Sequence, residues 1–222
     1  MTQEEALNAM KMGYNVFLTG PPGSGKTFLL NKYVEYLREN HKSVAVTAST
    51  GVAATHMNGT TLHSWSGLGI KEDLTKGDIK KMMKKSYLRK HYDNTQILVI
   101  DEISMLTANQ FDAIDRAARQ FKKSFKSFGG MQVVCSGDFF QLPPISKDAK
   151  FAVESQALKG MDMKICYLEE QHRHKDKNLF DLLNHIRSNN VEESKKILAE
   201  RKEKELSEIH TRLYTHNIDV MR

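Results

Sequence analysis

Residues 16–27 read VFLTGPPGSGKT, a short apolar run followed by the pattern Gly-x-x-x-x-Gly-Lys-Thr. This pattern is typical of a P-loop, in which successive backbone N–H groups turn inward around the phosphates of a nucleotide. The loop residues are Gly20, Gly23, Ser24 and Gly25. Lys26 is expected to reach the β- and γ-phosphates of ATP, and the Thr27 hydroxyl to ligate Mg²⁺. Kinases, GTPases, transporters and motors all use this loop, so it does not identify the reaction.

Composition is that of an ordinary globular protein: 222 residues, 40% of them hydrophobic and 27% charged. This length allows one large domain, or one domain and part of another. The net charge of +6 permits a polyanionic partner without requiring one. The sequence shows neither a signal peptide nor an apolar run long enough to cross a membrane, so we expect a soluble protein of the cytoplasm or nucleus.

Strand-like runs follow one another along the chain and are separated by segments long enough for helices. They lie at residues 16–18, 43–48, 96–100, 131–136 and 164–168. Strands that alternate with helices favour an α/β fold, a parallel sheet with helices on both faces. Two cysteines, Cys135 and Cys166, lie in the last two runs and are predicted to be buried free thiols.

A hydroxyl-rich turn, Ser49-Thr50-Gly51, follows the second run and precedes an Ala-rich helix. Free N–H groups and short hydroxyls suit a phosphate backbone, but Ser49 or Thr50 is equally suited to a plain helix N-cap. The residues alone leave both alternatives open. Trp65, the one tryptophan, is expected in the core rather than on a base.

The segment 71–91 is rich in lysine, with apolar residues between the lysines. We expect a helix with a solvated basic face there, in preference to a dedicated nucleic-acid contact.

Residues 97–102 read ILVIDE, an aliphatic strand that delivers two carboxylates at its carboxyl end. Ligands of open α/β sheets bind at that edge. Asp101 is expected to hold Mg²⁺, usually through water, and Glu102 to orient and deprotonate an attacking water. Together with the P-loop, this pair indicates nucleotide hydrolysis.

Residues 137–144 read GDFFQLPP after the next apolar run. Gln141 can donate a hydrogen bond to a γ-phosphate, and the flanking glycine and prolines restrict the loop that presents it.

In their order and spacing, these motifs resemble those of Pif-type helicases, relatives of RecD within superfamily 1 that move 5′ to 3′ on single-stranded DNA. The motifs are GPPGSGKT, STGVAA, TLHS, DEISM, FGG and GDFFQLPP. The resemblance covers nearly the whole chain. It implies a RecA-like ATPase domain over residues 1–168, and an inter-domain segment with the start of a second RecA-like domain over 169–222.

Further site residues follow from this resemblance. Gln3 resembles the adenine-reading glutamine, and Arg173 the arginine that reaches the γ-phosphate. Thr50, Gly51 and His63 resemble positions that touch the DNA strand. The resemblance also implies single-stranded DNA and the remaining second RecA-like domain as partners, ATP and Mg²⁺ as cofactors, and a monomer.

Two rival functions are weighed against an ATP-dependent DNA helicase. One is a non-motor module that binds nucleotide and DNA as a switch or clamp, which the missing second half favours for the isolated chain. The other is a small-molecule P-loop kinase, against which the segment 137–144 argues, because such an enzyme has no use for it. DNA-stimulated ATP turnover separates the three.

Overall fold

The computed structural model describes residues 1–145, 149–169 and 177–202. The chain divides into two units, residues 1–173 and 174–222. The first unit contains six strands: β1 (Asn15–Thr19), β2 (Val44–Ala48), β3 (Thr60–Thr61), β4 (Ile97–Asp101), β5 (Gln132–Ser136) and β6 (Met163–Tyr167).

The described residues also form ten helices. They are α1 (Gln3–Lys11), α2 (Lys26–Glu39), α3 (Gly51–His56), α4 (Leu62–Ser66), α5 (Lys76–Met83), α6 (Ser86–Asn94), α7 (Ala108–Phe121), α8 (Gln156–Lys159), α9 (Lys177–Arg187) and α10 (Val191–Lys202). Short 3-10 turns lie at Ile103–Met105, Ser127–Gly130 and Ala152–Glu154. The second unit contributes α9 and α10, which pack on each other.

All strand pairs are parallel, and the strand order is β3-β2-β4-β5-β1-β6. Successive side chains of β4 point to opposite faces, so Leu98 and Ile100 join one core while Ile97 and Val99 join the other. Helices α4 to α8 cover the first face, and α1 and α2 cover the second. The predicted α/β fold, with a parallel sheet covered on both faces, is therefore confirmed.

The second core holds together the strand and the helix on either side of the P-loop. Leu30, Tyr33 and Leu37 on one side of α2 are buried in the same core as Val16 and Leu18 of β1. Burial of these large side chains stabilises the strand and helix that flank the loop, by about 1.5–3 kcal/mol each.

Two details differ from the sequence-based expectation. The segment 71–91 contains two helices, α5 and α6, because Lys85 has an extended backbone (φ −84°, ψ 113°) and begins a new helix. Strand β3 was not predicted, since two residues are too few to show any periodicity. Both cysteines are buried free thiols, and Trp65 is buried in the core, as predicted. Across the described residues, no helix combines the length and apolar character needed to span a bilayer.

Candidate functional site

The loop after β1 depends on glycine conformations. Gly20, Gly23 and Gly25 have φ values of +149°, +81° and +83°, in the region that favours glycine. A Cβ on Gly20 would lie 2.4 Å from the carbonyl oxygen of Leu168, just beyond β6. The backbone of β6 therefore limits this loop position to glycine.

Lys26 and Thr27 open α2 and place their side chains at the carboxyl edge of the sheet. Lys26 is buried, and its Nζ donates to the carbonyl oxygens of Gly20 (2.9 Å) and Pro21 (3.0 Å). The Thr27 hydroxyl donates to the Asp101 carboxylate at 3.0 Å, although the two residues lie 74 positions apart in sequence. The P-loop and the end of β4 therefore meet, as the two motifs predicted.

Glu102 follows Asp101 in a left-handed conformation (φ 55°, ψ 44°), and its backbone N–H donates to the Asp101 carboxylate at 3.0 Å. For a residue other than glycine, this conformation costs about 1–2 kcal/mol, a kind of strain that concentrates at functional sites. The turn brings Glu102 to the wall of a cleft of about 380 Å³. That cleft is lined by Pro22, Gly23, Gly25, Lys26, Thr27, Phe28, Glu102 and Gln141.

Gln141 reaches the cleft from the loop after β5, and Asp138 supports it. The Asp138 carboxylate is buried and accepts hydrogen bonds from Gln141 Nε2 (3.1 Å) and from the Phe140 N–H (3.2 Å). Just before it, a Cβ on Gly137 would lie 2.9 Å from Ile103 Cγ2. The loop thus packs closely on the turn after Glu102. The sequence reading assigned no role to Asp138, although an Asp two residues before a bonded N–H is a common turn signal.

Gln3 lies beside the P-loop, where its Nε2 donates to the carbonyl oxygen of Ser24 at 3.3 Å. A capping box between Thr2 and Glu5 fixes the start of α1 and so the position of this side chain. The Ser24 hydroxyl is buried and has no hydrogen-bond partner in the described part of the chain. A polar ligand at the loop would satisfy that hydroxyl.

Thr50 is the N-cap of α3, and Gly51 is the first residue of that helix. The Thr50 hydroxyl accepts the Ala53 N–H at 3.3 Å and caps α3, which is the N-cap role that the sequence offered as one of two alternatives. Thr50 also lines a second cleft of about 280 Å³, whose other walls include Val52, His56 and Leu142. Glu102 and Gln141 line this second cleft as well as the first. The two clefts therefore share two polar side chains.

His63 is not among the residues that line either cleft. It is half-buried in α4, near the Gln110 side chain and the Glu72 carboxylate. Burial lowers the pKa of His63 below its ordinary value of 6.5, and the charge of Glu72 and a hydrogen bond with Gln110 oppose that shift. Glu72 in turn accepts hydrogen bonds from the Thr107 hydroxyl (3.1 Å) and from Gln110 Nε2 (3.2 Å) at the start of α7.

This polar network was missed from the sequence. Glu72 lies in a lysine-rich segment that reads as a solvated surface, and only the folded chain brings it to Thr107 and Gln110. The predicted arginine, Arg173, lies outside the described residues. Among the described residues, no group of three or more His, Cys, Asp or Glu side chains could hold a metal ion by itself. Any ion at Asp101 would thus depend on the Thr27 hydroxyl and on further oxygens.

The chain is similar in sequence to known helicases. The Psychrobacter protein "ATP-dependent DNA helicase Pif1" is 47% identical over 234 residues, which cover 99% of this chain and 36% of that protein. The Saccharomyces cerevisiae "ATP-dependent DNA helicase PIF1" is 40% identical over 238 residues, covering 99% of this chain and 27% of that protein. The chain thus spans between about a quarter and about a third of the length of these curated relatives.

Solved structures agree in fold. Bacteroides Pif1 bound to single-stranded DNA superposes with a TM-score of 0.82 and 30% identity, covering 99% of this chain and 54% of that one. A Pif1 helicase from Bacteroides in complex with ADP-AlF3 and single-stranded DNA gives a TM-score of 0.81 and 31% identity, covering 100% of this chain and 56% of that one. The profile of the family described as "PIF1-like helicase" matches residues 2–197. On that match, the chain belongs to the PIF1-like helicase family.

Proposed function

We propose that this chain is the first RecA-like domain of an ATP-dependent DNA helicase, which hydrolyses Mg·ATP to move 5′ to 3′ along single-stranded DNA. The family membership and the names of the relatives support this activity. Since the chain spans only part of those relatives, it would share the work with a second RecA-like domain. We place the boundary of the first domain at residue 168 and assign residues 169–222 to the connection and the start of the second.

The single observation that carries the proposal is the 3.0 Å hydrogen bond between the Thr27 hydroxyl and the Asp101 carboxylate. It joins a phosphate-binding loop to an acidic strand end beside one cleft, an arrangement suited to a nucleotide with a divalent cation. Oxygen donors of this kind fit Mg²⁺, which keeps several waters and takes one or two protein ligands beside the phosphates. Bound there, Mg²⁺ would neutralise charge on the phosphate oxygens.

Glu102 is the proposed general base. Glu102 lines the same cleft as the loop that would hold the phosphates, and its carboxylate would orient and deprotonate a water there. Gln141, held by Asp138, would donate to the γ-phosphate from the same wall. Lys26 would offset charge on the β- and γ-phosphates, and Gln3 would read the adenine. Arg173 remains our candidate for the γ-phosphate arginine, from the family resemblance.

Coupling to DNA is supported by the two walls that the clefts share. A strand bound along Thr50 and Gly51 would lie on the far side of Glu102 and Gln141 from the nucleotide. A shift of Glu102 or Gln141 would then change the shape of both clefts at once. The solved Bacteroides complex holds ADP-AlF3 and single-stranded DNA at once, which is consistent with such coupling. His63 remains a candidate DNA contact from the family resemblance, although it lines neither cleft.

DNA-dependent ATP turnover tests the proposal. A protein that carries this chain together with a second RecA-like domain should hydrolyse ATP faster with oligo-dT, and should displace a strand from a duplex with a 5′ single-stranded tail. The 222-residue chain alone should bind oligo-dT with an affinity that falls steeply with salt, because phosphate contacts release counterions. It should not unwind, because translocation requires two domains that close and open around ATP. Turnover that is indifferent to DNA would instead favour a small-molecule P-loop enzyme.

A further inference from the structure

A small pocket lies between α5 and α7, outside both clefts described above. Its volume is about 250 Å³. The side chains of Leu74, Ile79 and Met83 provide apolar surface, while charged and polar side chains complete the lining. These are Lys76, Lys80, Arg116, Arg119 and Gln120. The proposed ATPase uses none of these eight residues.

The two arginines of this pocket already have partners. Arg119 donates to the Asp115 carboxylate (2.7 Å), the Phe125 carbonyl oxygen (2.7 Å) and the Ser127 hydroxyl (3.2 Å). Arg116 pairs with Asp73. These bonds fix the α7 side of the pocket and leave its arginines largely neutralised.

The lysines on the α5 side differ from the arginines. Lys76 and Lys80 are exposed, and in the described part of the chain neither lies within 4.0 Å of a carboxylate oxygen. They belong to the segment 76–90, which carries seven cations and one acid, a net charge of +6 that equals the net charge of the whole chain. An anionic partner would therefore be drawn to this side of the pocket.

The chemistry of the lining favours one kind of anionic partner. Phosphates gain nothing from apolar surface, and no aromatic side chain among the described lining residues offers a base a ring to stack on. Aliphatic side chains and an adaptable methionine suit an apolar side chain of a peptide, and a small pocket suits one anchor. We propose that this pocket is a docking site for an acidic segment of a partner protein, which inserts one aliphatic or aromatic side chain between α5 and α7.

Fluorescence anisotropy with two labelled synthetic peptides tests this docking site. The first, Asp-Glu-Asp-Asp-Leu-Phe, carries acids and an apolar anchor, and the second, Asp-Glu-Asp-Asp-Ser-Ser, keeps only the acids. We expect the first to bind with a Kd at least about tenfold lower than the second, because only the first fills the pocket. Equal binding of the two peptides, or no binding of either, would overturn the proposal.

Charge reversal on α5 separates docking from general attraction. Lys80→Glu should raise the Kd of the Leu-Phe peptide about tenfold, while Lys81→Glu, the same change at an exposed residue of α5 outside the pocket, should have a much smaller effect. Met83→Gln, which alters the apolar surface and keeps the charge, should also weaken this peptide and not the Ser-Ser peptide. Mg·ATP affinity should be the same for all three variants, which shows that each is folded.

Two results would reject the docking site while leaving the proposed ATPase intact. Equal losses of peptide affinity in Lys80→Glu and Lys81→Glu would show that the peptide is attracted by the positive charge of the whole segment 76–90 and not by the pocket. Displacement of the peptide by oligo-dT from the parent chain but not from Lys80→Glu would make the pocket part of a nucleic-acid surface instead.

Discussion

The nucleotide cleft and the candidate DNA segment, residues 50–63, use their polar side chains differently. At the cleft, Thr27 bonds to Asp101 across 74 positions of sequence, so a hydroxyl and a carboxylate meet where a ligand would sit. In the DNA segment, the hydroxyls of Thr50 and Thr61 are occupied as the caps of α3 and α4. Side chains of the nucleotide cleft are thus placed to assist the backbone N–H groups of the P-loop, whereas near Thr50 backbone N–H groups would provide much of any phosphate contact.

The largest effect is expected for a substitution of Lys26, which should affect the nucleotide cleft and not the DNA segment. Lys26→Ala should abolish measurable binding of Mg·ATP by calorimetry, because Lys26 is the one lysine among the described residues that line the cleft and would offset the charge of the β- and γ-phosphates. Lys32→Ala, at an exposed residue of the same helix, is the matched control and should bind as the parent does. Retained ATP affinity in Lys26→Ala would remove the P-loop from nucleotide binding. Oligo-dT binding should survive both changes.

Glu102→Gln tests the shared wall. The amide matches the carboxylate in shape but cannot accept the proton of the attacking water, so hydrolysis should fall by about 10²- to 10⁴-fold while Mg·ATP binding persists. Single-turnover phosphate release separates the two quantities, preferably in a protein that also carries a second RecA-like domain. Glu35→Gln, an exposed change in α2, should leave the rate unaltered. Parental turnover in Glu102→Gln would assign the base to another group.

Glu72→Ala sharpens the comparison on the DNA side. It leaves Thr107 and Gln110, both buried, without their carboxylate partner, and should lower the free energy of unfolding by about 1–2 kcal/mol. Asp73→Ala removes an exposed pair with Arg116 and a hydrogen bond from the Leu74 N–H (2.6 Å), and should cost at most about 1 kcal/mol. Urea midpoints of the two variants measure the difference. If Glu72→Ala also weakens oligo-dT binding without changing ATP affinity, the network positions His63 for DNA binding. Equal urea midpoints of the two variants would show that the network contributes little to stability.

The smallest effect concerns the protonation of His63. Because burial lowers its pKa in the folded state below 6.5, the unfolded chain takes up the proton more readily, and protonation disfavours the fold. The stability due to neutral His63 is thus present above 6.5 and is lost as the pH falls through 6.5 towards the lowered value. His63→Gln should therefore have a shallower loss of stability over this range than the parent. Unfolding curves of the two proteins at several pH values measure it, and parallel curves would contradict it.

Local patterns were sufficient for the parts of the molecule that recur in many proteins. Periodicity located five strands, and fixed spacing located Lys26, Thr27, Asp101 and Glu102, because each of these signals lies within a few consecutive residues. Contacts between distant segments left no such trace. The bonds from Thr107 and Gln110 to Glu72 span 35 and 38 residues, so only the fold brings these side chains together.

The close approach of Gly20 to Leu168 has a consequence for folding. Loop and strand end lie 148 residues apart in sequence, and β6 bonds to β1 through the Leu168 N–H and the Thr19 carbonyl oxygen at 2.8 Å. The nucleotide loop is therefore bounded by one of the last parts of the sheet to be synthesised. At about 5–20 residues per second, the ribosome needs roughly 7–30 s to reach Leu168 after it has made Gly20. During that interval the nascent chain holds a complete P-loop sequence that lacks the strand end against which it packs. We therefore expect nucleotide affinity to arise late in synthesis, once β6 has completed the sheet.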